Sequence, residues 1–263
     1  GLLRARVRVS TLHGQLFLHS AYPTTAEDAV FLGPDSYRFA DLIRTELLTA
    51  PLKSGSVVVD IGTGAGVGAI VAAELSPGAR MIMTDLNVQA LALAQINARH
   101  AGYIVEARCG RDLAGFADPI DLAFANPPYI IDPDGRAYRD GGGNLGAEIS
   151  TAMTRAALSG LRPEGRFILY TGSAIVSGHD GLEAELQNLA QEHDRPIRYR
   201  EIDPDVFGEE LDSPGYETVD RIAVVAAIFD PKAEVLDLTS RQNSHNSALR
   251  DLSVIPSEAR RLE

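Results

Sequence analysis

The feature that most constrains this chain is a strand, a glycine-rich turn and a helix that follow one another in residues 57–70, VVVDIGTGAGVGAI. The valines at 57–59 are typical of a strand that is buried on both faces of a sheet. Asp60 comes next, and glycines at 62, 64, 66 and 68 predict a tight turn into a helix. Open parallel α/β sheets bind nucleotide-like ligands at such a turn, at the carboxyl end of the first strand.

Two ligand classes compete for this turn. Gly64, Gly66 and Ala69 satisfy the GxGxxG/A pattern of a dinucleotide fold, and Asp85 lies about where that fold has its ribose-binding acid. Asp60 argues against a dinucleotide, because a carboxylate directly before the turn repels a pyrophosphate and attracts an ammonium or sulfonium group. A turn without any ligand is the third alternative, although four alternating glycines are costly in ordering entropy.

Composition and charge set the outer limits. The 263 residues, 45% of them hydrophobic, suffice for one α/β domain with appendages. No apolar run is long enough for a membrane span, no signal peptide is evident and Cys109 is the only cysteine, so we expect a cytoplasmic protein without internal disulfides. The net charge of −12 disfavours a nucleic-acid partner, whose phosphates require a basic face.

Hydrophobic periodicity and turn residues divide the chain into an N-terminal β-hairpin (1–20), an α/β domain (21–230) and a C-terminal tail (231–263). Predicted strands of the domain lie at 57–60, 79–84, 103–109, 120–125, 166–170, 196–203 and 220–229. Predicted helices lie between Asp35 or Ser36, as N-cap, and Pro51, then at 67–75, 88–101, 146–161 and 181–193. Residues 162–165 are expected to form a turn.

The most specific motif is Asn126-Pro127-Pro128-Tyr129, directly after the fourth predicted strand. The nitrogen of an amide or aromatic amine is a poor nucleophile because its lone pair is delocalised. The Asn126 oxygen and a neighbouring carbonyl can accept its two N–H groups and aim the lone pair at a methyl donor. Two prolines stiffen the loop, and Tyr129 offers an aromatic face to a planar acceptor. A plain proline-rich turn is the alternative.

The DxGTGxG stretch that begins at Asp60, together with Asp85 and NPPY, resembles the HemK/PrmC group of class I S-adenosylmethionine-dependent methyltransferases. The GGNLG stretch at 142–146 is similar to that group's GGxDGL segment. The resemblance spans roughly residues 30–230 and implies a Rossmann-like fold: a seven-stranded, mostly parallel sheet ordered 3-2-1-4-5-7-6, with helices on both faces. The chain differs at 33–37, where GPDSY replaces an RPETE-like stretch. We also expect a hairpin at the position where that group has the helical domain that grips release factors.

The resemblance also implies S-adenosyl-L-methionine as the cofactor, and no metal site is visible in the sequence. Asp85 suits both ribose hydroxyls, or an N-cap that Asn87 fills equally well; Asp112 suits the adenine amino group or a plain turn. Candidates near the methionine end of the cofactor, or for helix cap and surface positions, are Asp35, Tyr37 and Arg38. The predicted cofactor-binding residues are Asp60, Gly62, Thr63, Gly64, Gly66, Asp85, Leu86, Asp112 and Asn126. The predicted catalytic residues are Asn126, Pro127, Pro128 and Tyr129.

We therefore expect an N-methyltransferase that acts on an amide or amine nitrogen of a protein glutamine or a small molecule. Alternatives are an adenine methyltransferase acting on RNA or DNA, a cofactor-binding module without turnover, and an enzyme that cyclises the cofactor itself. The polar, glycine-rich composition of residues 130–144 predicts an active-site loop. The acidic residues in 201–220 are expected near this loop if the sixth predicted strand is parallel to the first five. The oligomeric state is left open.

Overall fold

The structure, a computed structural model, describes residues 3–110, 113, 116, 119–132, 135, 136 and 138–232. The strands are β1 (Val7–Leu12), β2 (Gln15–Ser20), β3 (Val57–Ile61), β4 (Arg80–Asp85), β5 (Val105–Cys109), β6 (Ile120–Ala125), β7 (Leu161–Val176), β8 (His179–Asp180), β9 (Ile197–Asp203) and β10 (Arg221–Phe229). The helices are α1 (Pro34–Thr49), α2 (Val67–Leu75), α3 (Val88–His100), α4 (Gly143–Gly146), α5 (Glu148–Gly160) and α6 (Gly181–Glu192), and Gly208–Asp212 is a 3-10 helix. The predicted α/β fold with an N-terminal hairpin is confirmed.

One large sheet organises the domain. Its strands lie in the order β5-β4-β3-β6-β7-β10-β9, which is the predicted order 3-2-1-4-5-7-6, and the short β8 pairs with β7 as an eighth strand. β10 is antiparallel to both β7 and β9, so β9 runs in the same direction as the other strands of this sheet from β3 to β7. The carboxyl ends of β3, β4, β6 and β9 therefore lie at the same edge of the sheet.

Helices cover both faces of this sheet. Val58 packs into one apolar layer with Phe39 of α1 and Ile70 of α2, and residues of α3 belong to the same layer. Val57 and Val59 point the other way, into a layer that includes side chains of α5 and α6. The β-branched run of β3 is thus buried on both sides, as its composition predicts.

The N-terminal hairpin is attached to the domain through Asn97 of α3. The Asn97 Oδ1 accepts the Leu18 N–H at 2.8 Å, and its Nδ2 donates to the carbonyls of Leu18 and Ala65. Asn97 is buried, and its side chain binds both the outer edge of β2 at Leu18 and the glycine-rich turn after β3 at Ala65.

Two predicted boundaries are wrong. α1 begins at Pro34 with Gly33 as its N-cap, because the Asp35 carboxylate binds two tyrosines instead of the helix terminus. The turn expected at 162–165 is a bulge within β7, since Ile120 pairs with Leu161 and the register shifts before the next pairs. Gly165 permits this bulge, because a Cβ there would lie 2.6 Å from the Ile120 carbonyl oxygen.

Some expectations fall outside the described residues. These are Asp112 and nearly all of the predicted tail, of which only positions 231 and 232 are described. Among the helices in the described ranges, none has the length and apolar character needed to cross a membrane.

Replacing Asn97 with alanine tests how the hairpin is held. Asn97→Ala removes three hydrogen bonds and leaves buried backbone groups unpaired, so we expect the free energy of unfolding to fall by about 2–3 kcal/mol in urea titrations. Gln89→Ala, at an exposed position of the same helix, is the control and should change stability by less than about 0.5 kcal/mol. Equal stability of the two variants would contradict this role of Asn97.

Candidate active site

The candidate site lies at the carboxyl edge of the sheet, where β3 leads into a turn built from glycines. Gly62, Gly64 and Gly66 have φ of 67°, 53° and 84°, in the left-handed region that other residues adopt only with strain. A Cβ at Gly64 would meet nothing within 4 Å, so the backbone there is open to an approaching ligand. At Gly66 a Cβ would press on Ala94 of α3 at 3.0 Å, which makes that glycine a packing requirement.

Asp60, at the end of β3, stabilises this turn through hydrogen bonds. Its Oδ2 accepts the Thr63 hydroxyl at 2.6 Å and the Ala69 N–H at 2.9 Å, so the carboxylate ties the turn to the first turn of α2. The side chain is buried, and this burial raises its pKa to about 7, with the charge of Asp85 adding to the shift. Thr63, predicted to bind the cofactor, is itself buried and supports Asp60.

Asp85, at the end of β4, reaches the same turn from the neighbouring strand. Its Oδ2 accepts the Gly64 N–H and its Oδ1 accepts the Asn87 N–H, both at 2.9 Å. Burial is the main cause that raises the pKa of Asp85. The cap of α3 is Asn87, whose Oδ1 accepts the Gln89 N–H, so Asp85 is not the cap. Leu86 follows it with 53% of its surface exposed.

The two carboxylates lack a cationic partner among the residues that the structure describes. In the ranges that the structure describes, neither Asp60 nor Asp85 forms a salt bridge. Burial disfavours ionisation of both acidic groups and raises their pKa, so a positively charged ligand would favour their ionised forms, whereas a pyrophosphate would be repelled by them. The positively charged ligand that the position of Asp60 predicts stays a prediction.

Asn126 lies one residue beyond β6, the strand that pairs with β3 on the side away from β4. Ile61 and Ala125 are opposite each other in the register, so Asn126 and the start of the glycine turn leave the sheet side by side. Asn126 is half-buried, and within the described residues its side-chain amide makes no hydrogen bond. Pro127 is buried and Pro128 half-buried. The amide is therefore held on a rigid loop with its hydrogen-bonding groups unused.

The structure places Tyr129 differently from the expectation that its ring offers a face to the acceptor. The ring is only 6% exposed and lies against Gly172 of β7, where a Cβ would come within 2.0 Å of it. Its hydroxyl donates to the Asp35 Oδ2 at 2.6 Å, while Tyr170 donates to the Asp35 Oδ1 at 2.8 Å. Tyr129 thus fixes the loop instead of facing the site. The role of Asp35 was missed because it depends on tyrosines far along the chain.

Glycines after the motif complete this anchorage. A Cβ at Gly146, whose φ is 87°, would lie 2.2 Å from the Tyr129 carbonyl oxygen, and one at Gly141 would lie 2.7 Å from the Tyr129 Cα. The Gly141 N–H donates to the Ile130 carbonyl at 2.8 Å. The glycine-rich stretch therefore packs its backbone directly on the NPPY loop, which side chains would prevent.

The acidic connection after β9 also lies against this loop, because β9 is parallel as expected. The Ile131 N–H donates to the Tyr216 hydroxyl at 2.8 Å, and Arg139 pairs with Glu210. Arg38 pairs with Asp203 at 2.6 Å, so neither Arg38 nor Asp35 is free for the cofactor in this conformation. Part of the acidic charge of the connection is thus neutralised by arginines. Tyr37, the third candidate, donates to the Thr11 carbonyl.

Comparison with known proteins places this geometry in a family. Residues 40–195 match the family model described as methyltransferase small domain. A release factor glutamine methyltransferase of Bordetella pertussis is 32% identical over 214 residues, which cover 78% of this chain and 76% of that protein. One of Cereibacter sphaeroides is 34% identical over 149 residues, 52% of this chain and 53% of that protein, so the chain spans about half the length of this relative. The crystal structure of Trm5b from Pyrococcus abyssi has a TM-score of 0.57 at 14% identity, covers 87% of this chain and 56% of its own, and shows the fold alone.

Asp60 makes stability depend on pH. Its pKa is about 7 in the fold against an unperturbed 3.8, so the folded protein binds more protons than the unfolded chain between these values. The contribution of Asp60 to the free energy of unfolding is fully present below the unfolded pKa. It is lost as the pH rises toward 7, and the total loss is about 4 kcal/mol if Asp60 acts alone. Asp60→Asn cannot titrate, and we expect chemical denaturation from pH 4 to 8 to show a flatter profile for it. Parallel profiles of the two proteins would contradict the assignment.

Asp35 should be the main anchor of the NPPY loop. Asp35→Ala leaves two largely buried phenol groups without an acceptor, so we expect a loss of about 2–4 kcal/mol in the free energy of unfolding. Asp35→Asn keeps one acceptor oxygen and should lose less. The control is Asp41→Ala on the same helix, where an exposed pair with His13 is worth less than about 1 kcal/mol. Equal losses for the alanine variants would refute the anchor.

Proposed function

Because the chain belongs to the methyltransferase small-domain family, within class I methyltransferases of the HemK type, we propose that it transfers a methyl group from S-adenosylmethionine to an amide or amine nitrogen. The observation that carries this proposal is that two carboxylates and an amide lie at the same edge of the sheet. Asp60 and Asp85, at the ends of β3 and β4, form no salt bridge with a described residue, and the Asn126 amide after β6 makes no hydrogen bond to one. The two carboxylates suit a positively charged nucleoside, and the amide suits a nitrogen acceptor.

The residues at the glycine turn fit the cofactor. Asp85 is placed to accept the ribose hydroxyls in exchange for one of its present backbone donors. The exposed side chain of Leu86 would cover one face of the adenine, and the open backbone at Gly64 leaves room for the nucleoside. Asp60 would act electrostatically: its Oδ2 is committed to the turn, and a bound cation would favour its ionised form. When bound, S-adenosylmethionine supplies an electrophilic methyl group on a sulfonium.

Asn126 would orient the acceptor. Its amide oxygen accepts an N–H of the acceptor nitrogen, and a carbonyl of the adjoining prolines accepts the second, so that the lone pair points to the methyl donor. The buried ring of Pro127 and the anchored Tyr129 hold this arrangement, which lowers the cost of orientation at the moment of reaction. The proton of the acceptor nitrogen can leave after the methyl group arrives, so this scheme needs no strong general base.

A glutamine side chain of a protein is the acceptor best supported. The relatives that align with this chain are named release factor glutamine methyltransferases. The net charge of −12 and the acidic connection against the NPPY loop disfavour the phosphate backbone of a nucleic-acid substrate. Asp112, outside the described residues, stays a candidate for the adenine amino group on the resemblance alone.

Replacing Asn126 with alanine tests the proposal. We expect Asn126→Ala to lower kcat by about 10²-fold or more while the Kd of S-adenosylmethionine stays within about threefold, because the amide acts on the acceptor. The assay measures methyl transfer to a glutamine-containing release factor by mass spectrometry, and calorimetry measures cofactor affinity. Asn188→Ala, at an exposed position of α6, is the matched control and should behave as wild type.

Other outcomes decide against the proposal. Weaker cofactor binding with an unchanged rate would assign Asn126 to the cofactor instead. Formation of methylthioadenosine without a methylated acceptor would indicate cyclisation of the cofactor. Tight binding of NAD with no affinity for S-adenosylmethionine would restore the dinucleotide interpretation of the turn.

A further inference from the structure

The two edges of the N-terminal hairpin differ in the part of the chain that the structure describes: the β2 edge bonds to other elements, whereas the β1 edge pairs with no further strand. On the β2 side, the Leu18 backbone is bound by the Asn97 amide, and the Ser20 N–H donates to the Val30 carbonyl. On the β1 side, β2 is the only strand that pairs with β1 in the described part of the chain. An open strand edge carries unpaired N–H and C=O groups that can template the addition of another strand.

The register identifies which groups of β1 face outward. The Ala21 N–H donates to the Arg6 carbonyl, and Leu12 pairs with Gln15 across the turn, so the even-numbered residues of β1 direct their backbone groups toward β2. The backbones of Val7, Val9 and Thr11 therefore point away from the hairpin. The Thr11 carbonyl accepts the Tyr37 hydroxyl at 3.0 Å. Among the described residues, the outward groups of Val7 and Val9 and the N–H of Thr11 have no hydrogen-bond partner.

Side chains along this edge are exposed on both faces. Val7 and Val9 are 40% and 58% exposed, and they share a face of the hairpin with Leu16, which is 43% exposed. Arg6 and Arg8 alternate with the valines and point to the other face. The two arginines are exposed and form no ion pair with any described residue.

The charge of the hairpin is opposite to that of the chain. Residues 3–20 contain three arginines and no aspartate or glutamate, whereas the net charge of the whole sequence is −12. A second copy of β1 on this edge would bring arginines opposite arginines, which destabilises a strand pair. An added strand with carboxylates at alternate positions would pair with Arg6 and Arg8, and its intervening apolar side chains would cover Val7 and Val9.

We propose that the outer edge of β1 is a docking site for an extended segment of a partner protein in which acidic and apolar residues alternate. The segment adds as a third strand to the hairpin: its backbone pairs with Val7 and Val9, its carboxylates with Arg6 and Arg8. This surface is separate from the residues proposed to hold the cofactor, so the inference stands or falls independently of the methyl transfer.

The test uses the full 263-residue chain and a fluorescein-labelled peptide of alternating glutamate and valine. Fluorescence anisotropy should show saturable binding that falls by about tenfold or more in Val9→Pro, which removes an outward N–H but leaves the pairing with β2 intact. Val9→Thr retains the N–H and should keep the affinity. Arg6→Glu combined with Arg8→Glu should abolish binding of this peptide.

Two control peptides and one control measurement complete the design. A lysine–valine peptide of the same length and a peptide with the glutamates and valines in separate blocks should bind at least about tenfold more weakly. Thermal melts must show that Val9→Pro is folded. Equal binding of the lysine peptide, no binding of the glutamate peptide, or unchanged affinity in folded Val9→Pro would overturn the proposal. Light scattering tests the remaining possibility. If the wild-type chain is a dimer and Val9→Pro is a monomer, the β1 edge binds a second copy of the chain instead.

Discussion

The hydrogen bonds that the buried Asp60 carboxylate makes to Thr63 and Ala69 are the constraint on which the site depends. They join the end of β3 to the start of α2 and so restrain the glycine turn between them. The position of that turn in turn places the N–H of Gly64 against Asp85, at the end of the next strand. Ionising a group in this environment is unfavourable, and a bound cation would compensate for that cost.

A second anchorage lies on the other side of β3. Asp35, in the first turn of α1, accepts the hydroxyls of Tyr129 and Tyr170, and thereby links a helix, the NPPY loop and β7. The glycine at 172 leaves room for the Tyr129 ring against the strand. The Asn126 side-chain amide, on the same loop, makes no hydrogen bond to any described residue. The site thus combines a rigid frame with an unused donor and acceptor at the point where an acceptor nitrogen would bind.

The sequence predicted the elements whose signal is local. The glycine turn directly follows the valine run, and the NPPY motif directly follows another strand. Hydrophobic patterns of period two and of helical period predict the strands and helices on either side of them. The role of Asp35 could not be predicted, because its partners are 94 and 135 residues away and only the fold brings them together. The same holds for Tyr129: an aromatic residue next to a reactive amide has the same sequence signature whether its ring faces the ligand or the core. The bulge in β7 was mistaken for a turn because Pro163 and Gly165 suit both.

The most direct measurement of the central claim is a crystal structure of the chain with S-adenosylhomocysteine, the product of methyl transfer. We expect the ribose hydroxyls to bind the Asp85 carboxylate and the sulfur to lie on the side of the pocket where the Asn126 amide is exposed. A nucleoside bound away from Asp85, or a sulfur separated from Asn126 by the sheet or by the NPPY loop, would contradict this claim.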